Sequence, residues 1–308
     1  MRRFPHSKRN VRRGLGTIFF VLGILLVAIA LRTPAEAAGR RTYSHFLVKQ
    51  PPGSPGAMKE LEQMRESGRL SSEDEATIQN AVDLATKRLG VPKSVLWCLM
   101  FQESRLNHLL GIDATSGATG IGQFLFPSFY EVNFHSARYS ARNVEYLTDA
   151  IGYDARPIGA FKRTPTHPSS YYSIPTGIAA TAVYLHNRYL QLENSLKRKG
   201  LAYDSDLLWL YAALAYNKGG RSVLNLWSEV REQRGQRGLA RLLTEPDSFF
   251  ALASDNELLE SALGRVWEGS TVAEFSNEWR VHGRKIAECA TGGSSRALMR
   301  SLAGEGRE

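Results

Sequence analysis

Seven apolar residues stand in succession from Val95 to Phe101, and Gln102, Glu103, Ser104 and Arg105 follow them directly. A helix that is apolar on every face must be buried on every face. Glu103, one turn beyond Leu99 and Met100, therefore falls at the edge of a core and close to the negative end of its helix. Burial and that dipole both disfavour the charged carboxylate. A carboxyl kept protonated near neutral pH is what general-acid cleavage of a glycosidic bond requires. A plainer reading competes with it: a surface glutamate ending a helix and pairing with Arg105.

A second run, Leu207 to Asn217, is apolar almost all round and again ends in a polar pair, Tyr216-Asn217, before Gly219-Gly220. Two buried helices that each deliver hydrogen-bonding groups at a core edge point to a shared cleft. Tyr216 would hold Glu103 in one rotamer through its hydroxyl, and Asn217 would bind a neutral polar ligand; otherwise Tyr216 is a half-buried aromatic with a satisfied hydroxyl. Between the runs lies "SGATGIGQF". Its glycines let backbone approach a ligand closely, and Ser116 and Gln123 supply polar groups, Gln123 both donor and acceptor. The bland alternative is a flexible connection between two helices.

The elements that must position these groups are helical. "AMKELEQMRESGRL" reads as a short helix ended by Gly68. "SSEDEATIQNAVDLATKRLG" carries a capping box at Ser72 and Glu75, one apolar face through Ile78, Val82, Ala85 and Leu89, and a stop at Gly90. Pro92 suits the first turn of the helix that contains the apolar run, and a further short helix starts at Pro127. Residues 135–172 are rich in Gly, Pro and Tyr with weak periodicity, a long connection with one helical turn around Val144 to Ile151. Helical pattern returns over 175–200 and 205–220. The tail from Leu224 to Arg300 reads as three or four amphipathic helices, the last over 273–290. With no alternating strand pattern of useful length, the fold is expected to be mainly α.

The excess of positive charge sits at one end of the chain. The chain holds 39 Lys and Arg against 30 Asp and Glu, but residues 1–41 contain nine of the bases and one acid, which leaves 30 and 29 for the remainder. The body is near neutral, so no nucleic-acid partner is indicated. The basic leader flanks the uncharged segment Leu15 to Leu31 and precedes Ala35-Glu36-Ala37, the pattern of a secretory signal cleaved after Ala37. An uncleaved anchor through residues 15–31 is the alternative. "QPPGSPG", residues 50–56, reads as a linker. Of the two cysteines, Cys98 lies inside the apolar run and reads as a buried free thiol, with a Cys98–Cys289 disulfide as the other outcome in an oxidising compartment. No H-E-x-x-H, C-x-x-C, G-x-S-x-G or phosphate-loop pattern occurs, so metal, thiol and serine-nucleophile chemistries are not indicated, and no cofactor is expected.

"ESRLN" (103–107), "SGATGIGQF" (116–124), "IPTGIAATAVYL" (174–185) and "ALAYNKGG" (213–220), in this order, resemble the four motifs of the soluble (SLT) type of lytic transglycosylase, in the lysozyme superfamily. The resemblance spans about residues 75–225. It implies a lysozyme-like helical domain over 57–225 with an insertion at about 135–172, after a signal or anchor (1–37) and a linker (38–56), and before a helical C-terminal extension (226–308). It implies an exported enzyme of the periplasm or cell envelope that acts on peptidoglycan glycan strands. The catalytic residue by motif is Glu103; Ser104, Ser116, Gln123, Tyr216 and Asn217 match the groups that line the glycan groove. Glu103 would protonate the oxygen leaving N-acetylmuramic acid, then take the proton of the muramoyl C6 hydroxyl as a 1,6-anhydro ring closes, without water or metal. One carboxyl suffices because the substrate supplies its own nucleophile. Asp113 keeps a lysozyme-like hydrolase open, and a non-catalytic peptidoglycan-binding or assembly protein is the alternative from another class. The chain departs from the family pattern at Leu106, where an aromatic is common, at Gly122, which replaces a larger side chain, and at Lys218, which replaces alanine.

Overall fold

The computed structural model describes residues 41–42, 45–111, 117–134, 167, 170–252, 255–265 and 271–293. The leader with its segment 15–31, Asp113, Ser116, nearly all of the 135–172 connection and the residues after 293 lie outside them. The protein is mainly helical. Among the described residues the elements are β1 (Arg41–Thr42), α1 (Pro55–Glu66), α2 (Ser72–Leu89), α3 (Lys93–Ser104), α4 (Phe126–Phe134), α5 (Ile174–Arg198), β2 (Tyr203–Asp204), α6 (Ser205–Lys218), α7 (Gly220–Thr244), α8 (Pro246–Leu252), α9 (Asn256–Gly264) and α10 (Thr271–Thr291). No helix among these residues is long and apolar enough to cross a membrane.

Local chemistry sets the helix ends, in two places one residue away from the expected position. Ser71, not Ser72, caps α2: its hydroxyl accepts from the Asp74 N–H at 3.0 Å, while Glu75 turns to Arg65 Nε at 2.9 Å. Pro92 is the N-cap of α3 rather than part of its first turn. Asp204 caps α6 by accepting from the N–H groups of Asp206 and Leu207. Gly235, at φ 70°, breaks α7. Among the described residues one sheet forms, pairing β1 with β2 in parallel, Arg41 against Tyr203, and two residues are too few to leave an alternating signature in sequence.

The apolar run behaves as its composition requires. Val95 through Phe101 are all buried on α3, and Leu207 through Ala215 on α6. α3 packs against α2, α5, α6 and α10; α6 packs against α5, α7 and α10. The last helix, α10, is therefore laid along both core helices. Its C-terminal end is tied by the 45–54 segment, where Val48 N donates to Ala290 O and Gly53 N to Cys289 O, each at 2.8 Å. A side chain at Gly53 would meet the Gly292 backbone at 2.7 Å, so this approach needs glycine. The linker read from "QPPGSPG" is thus in part a strap over α10.

Cys98 is not a free thiol. It forms a disulfide with Cys289, 191 positions away, joining α3 to α10. An apolar neighbourhood signals burial for a cysteine but carries no information about a partner from a distant helix.

A second tie joins β1 to α5. Glu193 accepts from the Tyr203 hydroxyl at 2.6 Å and pairs with Lys197 at 2.9 Å and Arg41 at 3.9 Å. Burial opposes its charge, but the Tyr203 hydrogen bond and the two cations outweigh this and hold the carboxyl below its ordinary range. A carboxyl lowered on folding stabilises the protein above its unfolded value of about 4.3, and that contribution is lost as pH falls. Glu193→Gln is expected to melt below the parent at pH 7, with the gap closing toward about pH 3; thermal melts at the two pH values would show it.

Candidate active site

α3 closes with two consecutive non-glycine residues in the left-handed region, Arg105 (φ 54°) and Leu106 (φ 59°). Arg105 secures the turn: its backbone N–H and Nη1 both donate to Phe101 O, at 3.0 and 2.7 Å, and its Nε reaches Glu60 of α1 at 2.5 Å. The pairing of Arg105 with Glu103 allowed by the sequence does not form. Leu106 is buried in the core.

Glu103 faces α10 instead. Its Oε1 lies 3.2 Å from His282 Nε2, and the two side chains are 13% and 8% exposed. The approach is close, yet Nε2 makes no hydrogen bond among the described residues. His282 escaped the reading of the sequence. Its helical phase, shared with Trp279, Ile286 and Cys289, marks a buried face, but nothing local pairs it with a glutamate 179 positions earlier.

The loop after α3 is pinned from both core helices. Ser104, expected at the glycan groove, is buried and donates to Ile121 O at 2.8 Å and Met100 O at 3.1 Å, so it ties helix to loop. Tyr216, expected to hold Glu103, donates to Gly122 O at 2.6 Å. Burial, then the nearby Glu103 charge, push its hydroxyl well above the ordinary phenol range, so it stays a neutral donor. Gln123 sits at φ 49° and its Nε2 donates to Gly120 O at 2.8 Å, which commits the donor half of its amide to the loop and leaves the oxygen for a ligand. Asn217, one residue before the end of α6, has a buried Oδ1 with no hydrogen-bond partner among the described residues. Ser116 lies outside the described residues.

The residues at 122 and 218 have packing reasons of their own. A Cβ at Gly122 would stand 2.1 Å from Thr181 Oγ1, 2.8 Å from the Tyr216 hydroxyl and 2.9 Å from Phe124 Cε2. Tyr216, set edge-on to Tyr184 and Phe124, fills the space a larger residue would take. Lys218 pairs with Glu278 at 2.6 Å and lies over the Phe275 ring at 4.4 Å, both on α10. Trp279 Nε1 donates to Leu214 O at 3.1 Å beside it. The helix that delivers His282 is thus clamped to α6 as well as to α3.

Chemically, the site offers one mostly buried carboxyl beside an imidazole, and next to them a loop with its carbonyls at 121 and 122 held rigidly and polar acceptors on Gln123 and Asn217. This arrangement can deliver and recover a proton. No protein-family model, curated protein or solved structure matches the chain.

Gly122→Ala should cost about 1–3 kcal/mol through overpacking. Adding Thr181→Ala, which removes the nearest clash, should recover part of that loss. Urea unfolding of both variants measures it, and a Gly122→Ala protein as stable as the parent would contradict the packing described.

Proposed function

We propose that the protein is a peptidoglycan lytic transglycosylase with a lysozyme-like helical core, in which Glu103 is the general acid and then the base. The observation that carries this reading is the setting of Glu103: one carboxyl just beyond the buried run of its helix, 13% exposed, beside a loop fixed by Ser104 and Tyr216. A largely desolvated acid suits protonation of a glycosidic oxygen. The C6 hydroxyl of the muramoyl residue then replaces the water and the second carboxylate of a hydrolase. Gln123 Oε1 and Asn217 Oδ1 are acceptors suited to the amides and hydroxyls of the amino sugars. Ser104 supports the loop rather than the glycan.

Export to the periplasm or cell envelope fits this substrate, and the Cys98–Cys289 disulfide suits an oxidising compartment. The partner is the glycan strand, not nucleic acid, with residues 15–31 as signal or membrane anchor. The test is incubation of the full chain, held in detergent, with purified peptidoglycan and mass analysis of the released muropeptides. Anhydro products, one water lighter than hydrolysed ones, support the reading. Hydrated products would make it a lysozyme-like hydrolase, and no release would leave a glycan-binding protein.

A further inference from the structure

We propose that a cavity of about 280 Å³ between the C-terminal end of α5 and the break in α7 is a second binding site, one that takes a small oxyanion carried on a short apolar group. It lies apart from the Glu103 site. Leu196, in its wall, stands 15 residues along α5 from Thr181, which packs on the loop at Gly122, and 15 residues of helix span about 22 Å. The proposal does not depend on the reading of Glu103.

Charge selects an anion. Lys199 and Arg231 both line the cavity, and neither side chain has a hydrogen-bond or ion-pair partner among the described residues. No carboxylate lines it among those residues. The acids of α5 and α7 are committed elsewhere: Glu193 to Tyr203 and Lys197, Glu229 and Glu232 to Arg265. The two cations therefore act on the cavity without a protein counter-ion. Gly235 adds to their field. It breaks α7 at φ 70°, so that a second helical piece starts at Gln236 in the cavity wall, and the start of a helix carries partial positive charge and N–H groups without helical partners.

The independent pointer to a ligand is Trp227. It lines the cavity, is 3% exposed and sets its ring edge-on to Tyr211, with centroids 5.5 Å apart, yet its Nε1 has no hydrogen-bond partner. A buried indole N–H is normally bonded, as Trp279 is to Leu214 O at 3.1 Å. An oxyanion drawn in by Lys199 and Arg231 supplies the acceptor that Trp227 lacks. Leu196, Leu201 and Leu239 make the rest of the wall apolar, which suits a hydrocarbon group attached to the anion. The volume lies just below the roughly 300–1,000 Å³ of ordinary small-molecule sites, so the ligand is a small anion or the end of a longer chain. Carboxylate and phosphate share the chemistry required.

The test is NMR of the isotope-labelled full chain, held in detergent at neutral pH and fixed ionic strength so that screening stays constant. On addition of N-acetylalanine or sodium phosphate, the indole N–H signal of Trp227, identified by its loss in Trp227→Phe, should move saturably while that of Trp279 stays in place. Stronger binding of N-acetylalanine assigns the site to a carboxylate, as at the end of a peptide; stronger binding of phosphate assigns it to a phosphate-bearing ligand. Lys199→Gln with Arg231→Gln, at two exposed positions where the packing has no reason to change, should weaken binding by about tenfold or more through the loss of charge-assisted hydrogen bonds. Calorimetric titration of the parent against this double variant reads the same loss without relying on the folding of Trp227→Phe. No saturable shift with either anion, or binding that is equally strong in the double variant, overturns the proposal and leaves the reaction proposed at Glu103 untouched.

Discussion

Replacing Glu103 with Gln is expected to reduce the release of anhydromuropeptides by about 10²–10⁴-fold or more at neutral pH, with the fold unchanged. The amide matches the carboxyl in shape, so the end of α3, the Ser104 tie to Ile121 and the packing of α10 have no reason to move. What is lost is the proton. An amide can neither protonate a leaving oxygen nor accept the C6 proton, and both steps of the proposed reaction fail together. Truncating a binding group such as Asn217 should instead raise KM with a smaller effect on kcat. Replacing a largely buried carboxyl with its amide should leave thermal stability equal or raise it, as is common when a functional residue is substituted. A Glu103→Gln chain that still produced anhydro ends at the parent rate would end the reading of Glu103 as the acid.

The second large effect belongs to the disulfide. Cys98→Ala with Cys289→Ala, or reduction of the parent chain, opens a covalent loop of 191 residues. Closing so long a loop restricts the unfolded chain strongly, and losing it should cost about 2–5 kcal/mol. For a domain of this size each kcal/mol moves Tm by roughly 2–4 °C, so a fall of about 4–20 °C is expected. Activity should fall beyond what stability explains, because α10 lies against Glu103 and its attachment to α3 loses its covalent rung. The remaining clamps, Trp279 to Leu214 and Lys218 to Glu278, keep the helix docked at low temperature. The loss should accordingly grow as the temperature is raised. Calorimetry with and without reductant provides the check: equal melting temperatures would mean that the disulfide contributes little to the attachment of α10.

Much of the helical framework was legible because it is written in local pattern. Val95 to Phe101 and Leu207 to Ala215 are apolar on all faces, and such helices can only lie inside. The stops at Gly68 and Gly90, both at φ 70°, follow from the ease with which glycine takes a left-handed conformation. The last helix, expected over 273–290, spans Thr271–Thr291, since its polar and apolar faces alternate with the helical period. Cap positions were off by one at Ser71 and Pro92, where adjacent residues compete for the same role and only the backbone dihedrals decide between them.

The candidate site was legible in its residues more than in their roles. Glu103, Ser104, Gln123, Tyr216 and Asn217 all belong to the two buried helices or to the loop beside them, and their types were enough to suggest a polar edge on an apolar core. Their partners were another matter. The Tyr216 hydroxyl goes to a carbonyl 94 positions away, Ser104 to one 17 positions away, and Glu103 meets His282 from a helix that the four motifs do not include. The need for glycine at 122 depends on Thr181, Tyr216 and Phe124 converging on one point.

By itself, then, the sequence determined which segments are helical, which helices are buried, and that a carboxyl stands where one of them emerges. Tertiary structure alone decided that Cys98 finds Cys289, that Tyr216 serves the loop rather than Glu103, and that an imidazole stands at the carboxyl. The reason is physical. Hydrophobic period and capping chemistry act between residues within a turn or two of one another, whereas ion pairs, disulfides and steric exclusions depend on which helix packs against which, and a helical face does not name its partner.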